Sequence, residues 1–216
     1  MLEIKKFIVN PFQLNAYVLY DETRECILID PAVSNAGELE ELKSFISDNQ
    51  LITQSVVNTH SHIDHILGNK AVCETFGVPL FAHRDGESFL EHAAASAQTF
   101  GLPFAGVKPI DVFIREPQEL KFGNTVLKIL DTPGHAAGSI CLYAEKEGVI
   151  IVGDVLFRES IGRTDLPTGD YDLLQKSIWE KLFVLPNETV VFPGHGPKTT
   201  IGYEKENNPF VAIGME

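Results

Sequence analysis

Three observations in the sequence predict an α/β fold. The chain has 216 residues, of which 44% are hydrophobic and 22% are charged, as is typical of globular proteins. Short apolar runs, typical of buried strands, alternate with segments whose apolar residues recur at helical spacing. No repeat, low-complexity tract or Pro-, Gly- and Ser-rich linker interrupts the chain, so we expect residues 1–216 to form a single domain.

The first half of the chain predicts strands and helices in alternation. Asn35 followed by Glu38 resembles a capping box and predicts a helix over residues 36–49. The other helices of this half are predicted at residues 66–76 and 85–98. Strands are predicted at residues 2–9, 16–20, 25–30, 55–60 and 78–83, with a hairpin turn at 21–24.

The second half repeats this pattern. Strands are predicted at residues 125–131, 139–145, 149–154 and 189–195. Asp170 is a suitable N-cap for a helix that reaches about Leu185, and Thr200 caps a short final helix before Asn208 and Pro209. Residues 103–117 are the least regular stretch, and we expect them to form a mobile loop over a site.

Composition excludes several classes of function. The net charge of −13 opposes binding to nucleic acid, and no basic cluster compensates for it. No apolar segment is long enough for a signal peptide or a membrane span. Three cysteines, an odd number, argue against a disulfide framework. The sequence therefore predicts a cytoplasmic protein with a small-molecule substrate; it does not predict an oligomeric state.

Apolar runs that end in histidine or aspartate predict a metal site. The donors are His60, His62, Asp64, His65, His135, Asp154 and His195. Strand ends at one sheet edge converge on one crevice, where sites in α/β folds commonly lie. Seven donors are too many for one tetrahedral zinc but suit two cations that share a carboxylate.

The spacing inside the segment 58–69, NTHSHIDHILGN, also favours two cations. His60 and His62 are two residues apart and project to the same side of an extended segment. A helix that starts near Asp64 would present Asp64 and His65 in another direction. The alternative, a polar loop with solvated histidines, does not explain why five of seven histidines follow apolar runs. The remaining two, His83 and His92, are predicted to be surface or loop residues.

The motifs THSHIDH, PGH at 133–135, GD at 153–154 and PGHG at 193–196 resemble the metallo-β-lactamase superfamily, over residues Asn15 to Pro209. This resemblance implies an αββα four-layer sandwich of two mixed sheets flanked by helices. It implies that one cation is held by His60, His62 and His135. It implies that the other is held by Asp64, His65 and His195, with Asp154 bridging both. Asp64 and Asp154 would then be catalytic, and Asp30 would orient a ligating imidazole.

The segment 153–170, GDVLFRESIGRTDLPTGD, resembles the glyoxalase II branch, the hydroxyacylglutathione hydrolases, in its short bacterial form. This implies a dinuclear hydrolase, with zinc as the expected metal and iron or manganese as possibilities, in which a bridging hydroxide attacks a thioester of a glutathione-type thiol. Only 21 residues follow His195 (216 − 195), too few for the C-terminal glutathione-binding domain of the longer enzymes. Arg163 replaces their carboxylate-binding lysine, unless it pairs with Asp165, and Lys198 is a second candidate cation.

Two other functions remain open on the sequence. GRTD at 162–165 also resembles the persulfide dioxygenases of the same superfamily, whose single iron would here use His60, His135 and Asp154. A non-catalytic metal-binding module is the third possibility. It is disfavoured because an inactive relative is expected to have lost a ligand, and none is missing.

Overall fold

The computed structural model describes residues 1–211. The chain first forms a six-stranded sheet of β1 (Glu3–Val9), β2 (Leu14–Tyr20), β3 (Glu25–Ile29), β4 (Ile52–Val57), β5 (Leu80–Ala82) and β6 (Val112–Phe113). These strands neighbour one another in chain order. β1, β2 and β3 are antiparallel, whereas β3 to β6 are parallel, so the sheet is mixed.

The second half of the chain forms another mixed sheet. It begins with β7 (Glu119–Phe122), β8 (Thr125–Asp131), β9 (Ile140–Ala144) and β10 (Val149–Gly153). A separate two-stranded ribbon follows, of β11 (Leu156–Phe157) and β12 (Ser160–Ile161). β13 (Val190–Pro193) and β14 (Thr199–Thr200) complete the sheet, in the order β14-β13-β10-β9-β8-β7. β10 and β13 are parallel, and the other pairs are antiparallel.

The helices flank the two sheets. They are α1 (Ala36–Asp48), α2 (Ile63–Ile66), α3 (Asn69–Phe76), α4 (Glu87–Thr99), α5 (Tyr171–Ser177) and α6 (Ile201–Asn207). Asn35, Asp170 and Thr200 cap α1, α5 and α6 through their side chains, as the sequence predicts. Within the described residues, none of the helices is both long and apolar enough to cross a membrane.

Alternating strand residues divide the core into three layers. Leu19, Ile27 and Ile29 of the first sheet pack with Leu127 and Ile129 of the second. The intervening residues of the first sheet pack outward in a cluster with residues of α1, α3 and α4, whereas those of β9 and β10 pack with residues of α5 and α6. Successive side chains point to opposite faces of a sheet, so both faces of each sheet are covered. The predicted αββα sandwich is confirmed.

The predicted helix over residues 66–76 is wrong in its continuity. The structure has α2 and α3 with a break at Leu67 and Gly68. A Cβ on Gly68 would collide with the carbonyl oxygen of Pro31 and the amide nitrogen of Val33. The break therefore marks a close approach to the loop after β3, which only glycine permits. The predicted helix from Asp170 to about Leu185 is also interrupted, since a π-helical turn over Ile178–Leu182 follows α5.

Residues 103–117 do not cover the site, contrary to the prediction. Phe104 and Ile110 pack against the core beside the first sheet, and Val112–Phe113 adds an edge strand to it. The cavity at the site is lined instead by α4 and by the turn between β1 and β2. The irregular segment 103–117 therefore packs along the edge of the first sheet and does not form a lid over the site.

Candidate metal centre

The seven predicted donors converge at the carboxyl ends of four strands. His60 and His62 lie between β4 and α2, Asp64 and His65 lie in α2, and the other three follow β8, β10 and β13. Their ligand atoms form three groups within 4.8 Å: His60, His62 and His135; His60, His65 and Asp154; Asp64, His65 and His195. The groups share His60 and His65. The group of His60, His62 and His135 is termed the first position, and the group of Asp64, His65 and His195 the second position.

Specific distances define the two positions. Nε2 of His60 lies 3.1 Å from Nδ1 of His62, and Nε2 of His195 lies 3.2 Å from Oδ2 of Asp64. Asp154 lies between the two positions. Its Oδ1 is 3.4 Å from Nε2 of His65, and its Oδ2 is 3.8 Å from Nε2 of His135. One carboxylate therefore faces histidines of both positions.

A glycine makes this convergence possible. A Cβ on Gly194 would overlap Oδ1 of Asp154 and would lie 2.9 Å from Cε1 of His65. The backbone before His195 therefore approaches the bridging carboxylate more closely than any other residue would allow.

Several polar atoms of the centre lack partners among residues 1–211. Nε2 of His65, Nε2 of His135 and Oδ1 of Asp154 are buried without a hydrogen bond, and so is Nε2 of His62. Each unpaired buried polar group costs about 1–3 kcal/mol. Such groups are rare. Bound divalent cations would satisfy Nε2 of His65, Nε2 of His135 and Oδ1 of Asp154, whereas His62 faces the other donors with its Nδ1. The donor set, imidazoles with two carboxylates, fits zinc, iron or manganese.

Hydrogen bonds at Nδ1 orient most of the imidazoles. Nδ1 of His65 donates to Oδ2 of Asp30 at 2.9 Å, the kind of contact that the resemblance implies for Asp30. Nδ1 of His135 donates to the carbonyl oxygen of Arg163 at 2.8 Å, and Nδ1 of His195 lies 3.2 Å from the carbonyl oxygen of Phe12. An acceptor at Nδ1 fixes the tautomer that leaves Nε2 free to bind a cation.

Asp30 is itself held by several donors. It accepts hydrogen bonds from the backbone amide and hydroxyl of Thr59, at 2.8 and 2.6 Å, and from the side-chain amide of Asn58 at 3.2 Å. Its φ of +46° lies in the left-handed region, which is uncommon outside glycine. In the sequence, Asp30 precedes Pro31 just after β3. In the structure, its side chain links the end of β3 to His65.

Two asparagines, one in the turn after β1 and one in β2, were not predicted as part of the site. The side-chain amide of Asn10 donates to the carbonyl oxygen of Asp64 at 2.9 Å. That of Asn15 donates to the carbonyl oxygens of Pro193 and Gly196, at 3.0 and 2.9 Å, on either side of His195. A signal existed, because an asparagine inside an apolar strand is unusual.

The electrostatics differ between the two positions. Burial, followed by the charges of neighbouring histidines, lowers the pKa of His60 well below its ordinary value. Burial lowers the pKa of His62 to about 4 and also lowers the pKa of His135. These imidazoles are therefore neutral at neutral pH, which is the form that binds metal.

The other position is richer in charge. Burial would lower the pKa of His65 and of His195, but the carboxylates of Asp154 and Asp64 outweigh it and raise both pKa values. Burial would likewise raise the pKa of Asp64 and of Asp154, but His65 and His195 outweigh it and lower both. The protons on these histidines are those that a cation would displace.

A cavity of about 450 Å³ opens over the centre. His92 is exposed, as predicted for a surface residue, and it also lines the cavity from α4. Arg163 also lines the cavity, and its guanidinium pairs with both oxygens of Asp165 at 2.7 and 2.6 Å. Lys198 is exposed and does not line the cavity, so its prediction as a substrate-binding residue is not supported.

A family model of the metallo-beta-lactamase superfamily matches residues 9–195. The chain belongs to this superfamily. One relative of the chain is the hydroxyacylglutathione hydrolase GloC of Haemophilus influenzae. It is 36% identical over 212 residues, which cover 97% of this chain and 98% of GloC. The superfamily match and this relative place the chain among the metallo-hydrolases.

Solved structures of superfamily members match nearly the whole chain. One, described as BLEG-1 B3 metallo-beta-lactamase, is 40% identical with a TM-score of 0.89, and the match covers 97% of this chain and 99% of that one. Another, TTHA1623 in a di-iron-bound form, is 34% identical with a TM-score of 0.85, covering 95% and 99% of the two chains. The superfamily fold therefore extends over both sheets and the metal centre.

Proposed function

We propose that the protein hydrolyses thioesters of a glutathione-type thiol at a centre of two divalent cations, with zinc as the expected metal. The position of Asp154 carries this proposal, because its two carboxylate oxygens face histidines of two adjacent donor sets. The relative GloC supports the substrate class by its name. Three free and buried cysteines support a reducing location such as the cytoplasm.

The proposed ligands divide as the donor groups do. His60, His62 and His135 would hold one cation, and Asp64, His65 and His195 would hold the other, with Asp154 available to both sets. When bound, such a pair lowers the pKa of a water so that hydroxide is available near neutral pH, and stabilises the charge that develops on the carbonyl oxygen. The unpaired atoms on His65, His135 and Asp154 support this arrangement.

The chain's own residues orient the reactants. Asp30, Arg163 and Phe12 hold the imidazoles by accepting from Nδ1. Asp64, with Oδ2 directed at His195, is the carboxylate that orients the attacking water. Hydrolysis adds the oxygen of water to the carbonyl carbon and breaks the carbon–sulfur bond. The products are a carboxylate and a thiol, with one proton released.

Arg163 is the candidate for binding a carboxylate of the thiol. It is the sole lysine or arginine that lines the cavity within residues 1–211, and a guanidinium pairs well with a carboxylate. Its ion pair with Asp165 is exposed, with 61% and 67% of the two side chains accessible. Exposed pairs are weak, so a substrate carboxylate can compete with Asp165.

Metal content and turnover test the proposal together. We expect about two zinc ions per chain and hydrolysis of S-lactoylglutathione, and we expect Asp154→Ala to lose both, with turnover falling by at least about 10³-fold. Asp48→Asn, an exposed carboxylate at the end of α1, is the matched control and retains both. Full activity in Asp154→Ala would contradict the proposal.

A persulfide dioxygenase remains the second candidate. GRTD at 162–165 is the motif that favours it, and the Oδ2 of Asp154 lies 3.8 Å from Nε2 of His135, two of the three residues such an iron site would use. If the protein contains one iron per chain and consumes oxygen when glutathione persulfide is added, the dioxygenase function replaces the proposed hydrolase function. A β-lactam should also be assayed as a substrate, because the B3 metallo-beta-lactamase structure is 40% identical to this chain. Hydrolysis of the β-lactam and not of the thioester would show that the proposed substrate class is wrong.

A further inference from the structure

The cavity over the metal centre has a mainly apolar wall. Aliphatic and aromatic side chains contribute to it from the β1–β2 turn, α2, α4 and the loop after β12, among them Phe12, Ile63, Ile66, Phe89, Phe100 and Leu166. Phe89 packs edge-to-face on His62, with ring centroids 5.2 Å apart. The apolar wall therefore begins at a residue of the donor cluster itself.

Two exposed phenylalanines extend this wall. Phe12, from the turn, and Phe100, from the end of α4, form an edge-to-face pair with centroids 5.4 Å apart. Their exposures are 38% and 54%, and both side chains line the cavity. Exposed aromatic area is unfavourable in water and gains free energy when a ligand covers it. Such a pair beside a reaction centre is typical of a binding surface for an apolar group.

Positive charge contributes little to this cavity. Among the residues that line it within the described chain, Arg163 is the sole lysine or arginine, and a substrate carboxylate must displace Asp165 from it. A substrate therefore gains more from covering apolar side chains than from additional carboxylates. A lactoyl group, with one methyl and one hydroxyl group, would leave most of the wall uncovered.

On the basis of the proposed hydrolase function, we propose that the preferred substrate carries a bulky apolar group, about the size of a phenyl ring, beside the scissile bond. The cavity volume of about 450 Å³ lies within the range of about 300–1,000 Å³ that small-molecule sites occupy. The apolar group belongs to the acyl half or to the thiol half of the substrate.

Binding of non-hydrolysable ketone analogues, in which a methylene separates the carbonyl from the sulfur, tests the inference on the zinc-loaded protein. One analogue pairs a phenylacetyl group with N-acetylcysteamine, and one pairs a lactoyl group with benzyl mercaptan. The reference pairs a lactoyl group with N-acetylcysteamine. We expect at least one apolar analogue to bind about tenfold more tightly than the reference. The tighter of the two identifies the half that carries the group.

Variants connect this preference to the wall. Phe12→Ala and Phe100→Ala are expected to reduce the ratio of the dissociation constants severalfold, whereas Phe113→Ala preserves it. Phe113 is a suitable control because its exposure of 37% matches that of Phe12 and it lies outside this cavity. Equal binding of all three analogues, or a ratio unchanged in both test variants, would overturn the inference.

Hydrolysis of the three corresponding thioesters separates the two proposals. Faster turnover of an apolar thioester, in the same order as the binding, supports both. If none is hydrolysed while binding remains selective, the proposed hydrolase function fails and the apolar binding site stands. If all three are hydrolysed at equal kcat/KM, the hydrolase function stands and the inference about its substrate fails.

Discussion

The two donor sets of the metal centre are held in different ways. His60 and His135 are almost fully buried. Nδ1 of His60 contacts the hydroxyl of the neighbouring Thr59, and Nδ1 of His135 contacts the carbonyl oxygen of Arg163. The side chain of His195 is 28% exposed. The orientation of His195 depends on the β1–β2 turn, because its ring contacts the carbonyl oxygen of Phe12, which is 183 residues away in the sequence. One position is thus built into the sheet ends, whereas the other depends on contacts with a surface turn.

This difference matters for the chemistry. The proposed hydrolase needs both positions, and the alternative dioxygenase needs one. The residues that hold the second position, Asp30, Asn10 and Asn15, should therefore affect binding of the second cation more than binding of the first. The following predictions test this distinction.

The largest effect is expected from Asp30→Ala. The substitution leaves Nδ1 of His65 and the side chain of Thr59 without their buried acceptor. Removing one member of a buried charged pair costs about 3–5 kcal/mol, and loss of a contact that orients a metal ligand weakens binding about 10–100-fold. Urea unfolding and metal titration measure the two effects. A variant that is as stable as the parent and binds two cations equally well would show that Asp30 has no such role.

A smaller loss is expected from Asn15→Ala. Its amide bonds two carbonyl oxygens beside His195, and it is 2% exposed. Leaving a buried carbonyl unpaired costs about 1–3 kcal/mol, and the backbone that carries His195 becomes less constrained. We expect one cation to bind more weakly while the other is unchanged. Asn207→Ala, on the exposed end of α6, is the matched control. Equal weakening of both cations would contradict the distinction between the two positions.

Much of the fold and the donor set is predictable from sequence because the signals are local. Strand residues alternate, capping residues such as Asp170 sit next to their helix, and each donor follows an apolar run. The contacts of Asn10 and Phe12 with the centre are not local, since they span 54 and 183 residues. Carbonyl acceptors such as that of Arg163 are also invisible in sequence, because every residue has one. α4 was predicted as a helix, but its place over the centre depends on tertiary packing.

The smallest expected effect is that of Asp165→Asn. It removes the charge that pairs with Arg163 at the cavity, on an exposed loop. The freed guanidinium should lower KM for a glutathione thioester severalfold and leave kcat unchanged, because Arg163 contacts the donor cluster through its backbone carbonyl, which the substitution does not alter. Steady-state kinetics with a glutathione thioester and an N-acetylcysteamine thioester measure it. An equal change for both substrates would show that Arg163 does not bind a carboxylate.

Calorimetric titration of the metal-free protein with zinc, repeated on His195→Ala, tests the central claim most directly. We predict two binding events in the parent protein and one in the variant, with the remaining event close to the parent's tighter one. This result follows if His195 serves one position and His60, His62 and His135 serve the other. A single event in the parent that His195→Ala leaves unchanged would contradict a two-cation centre.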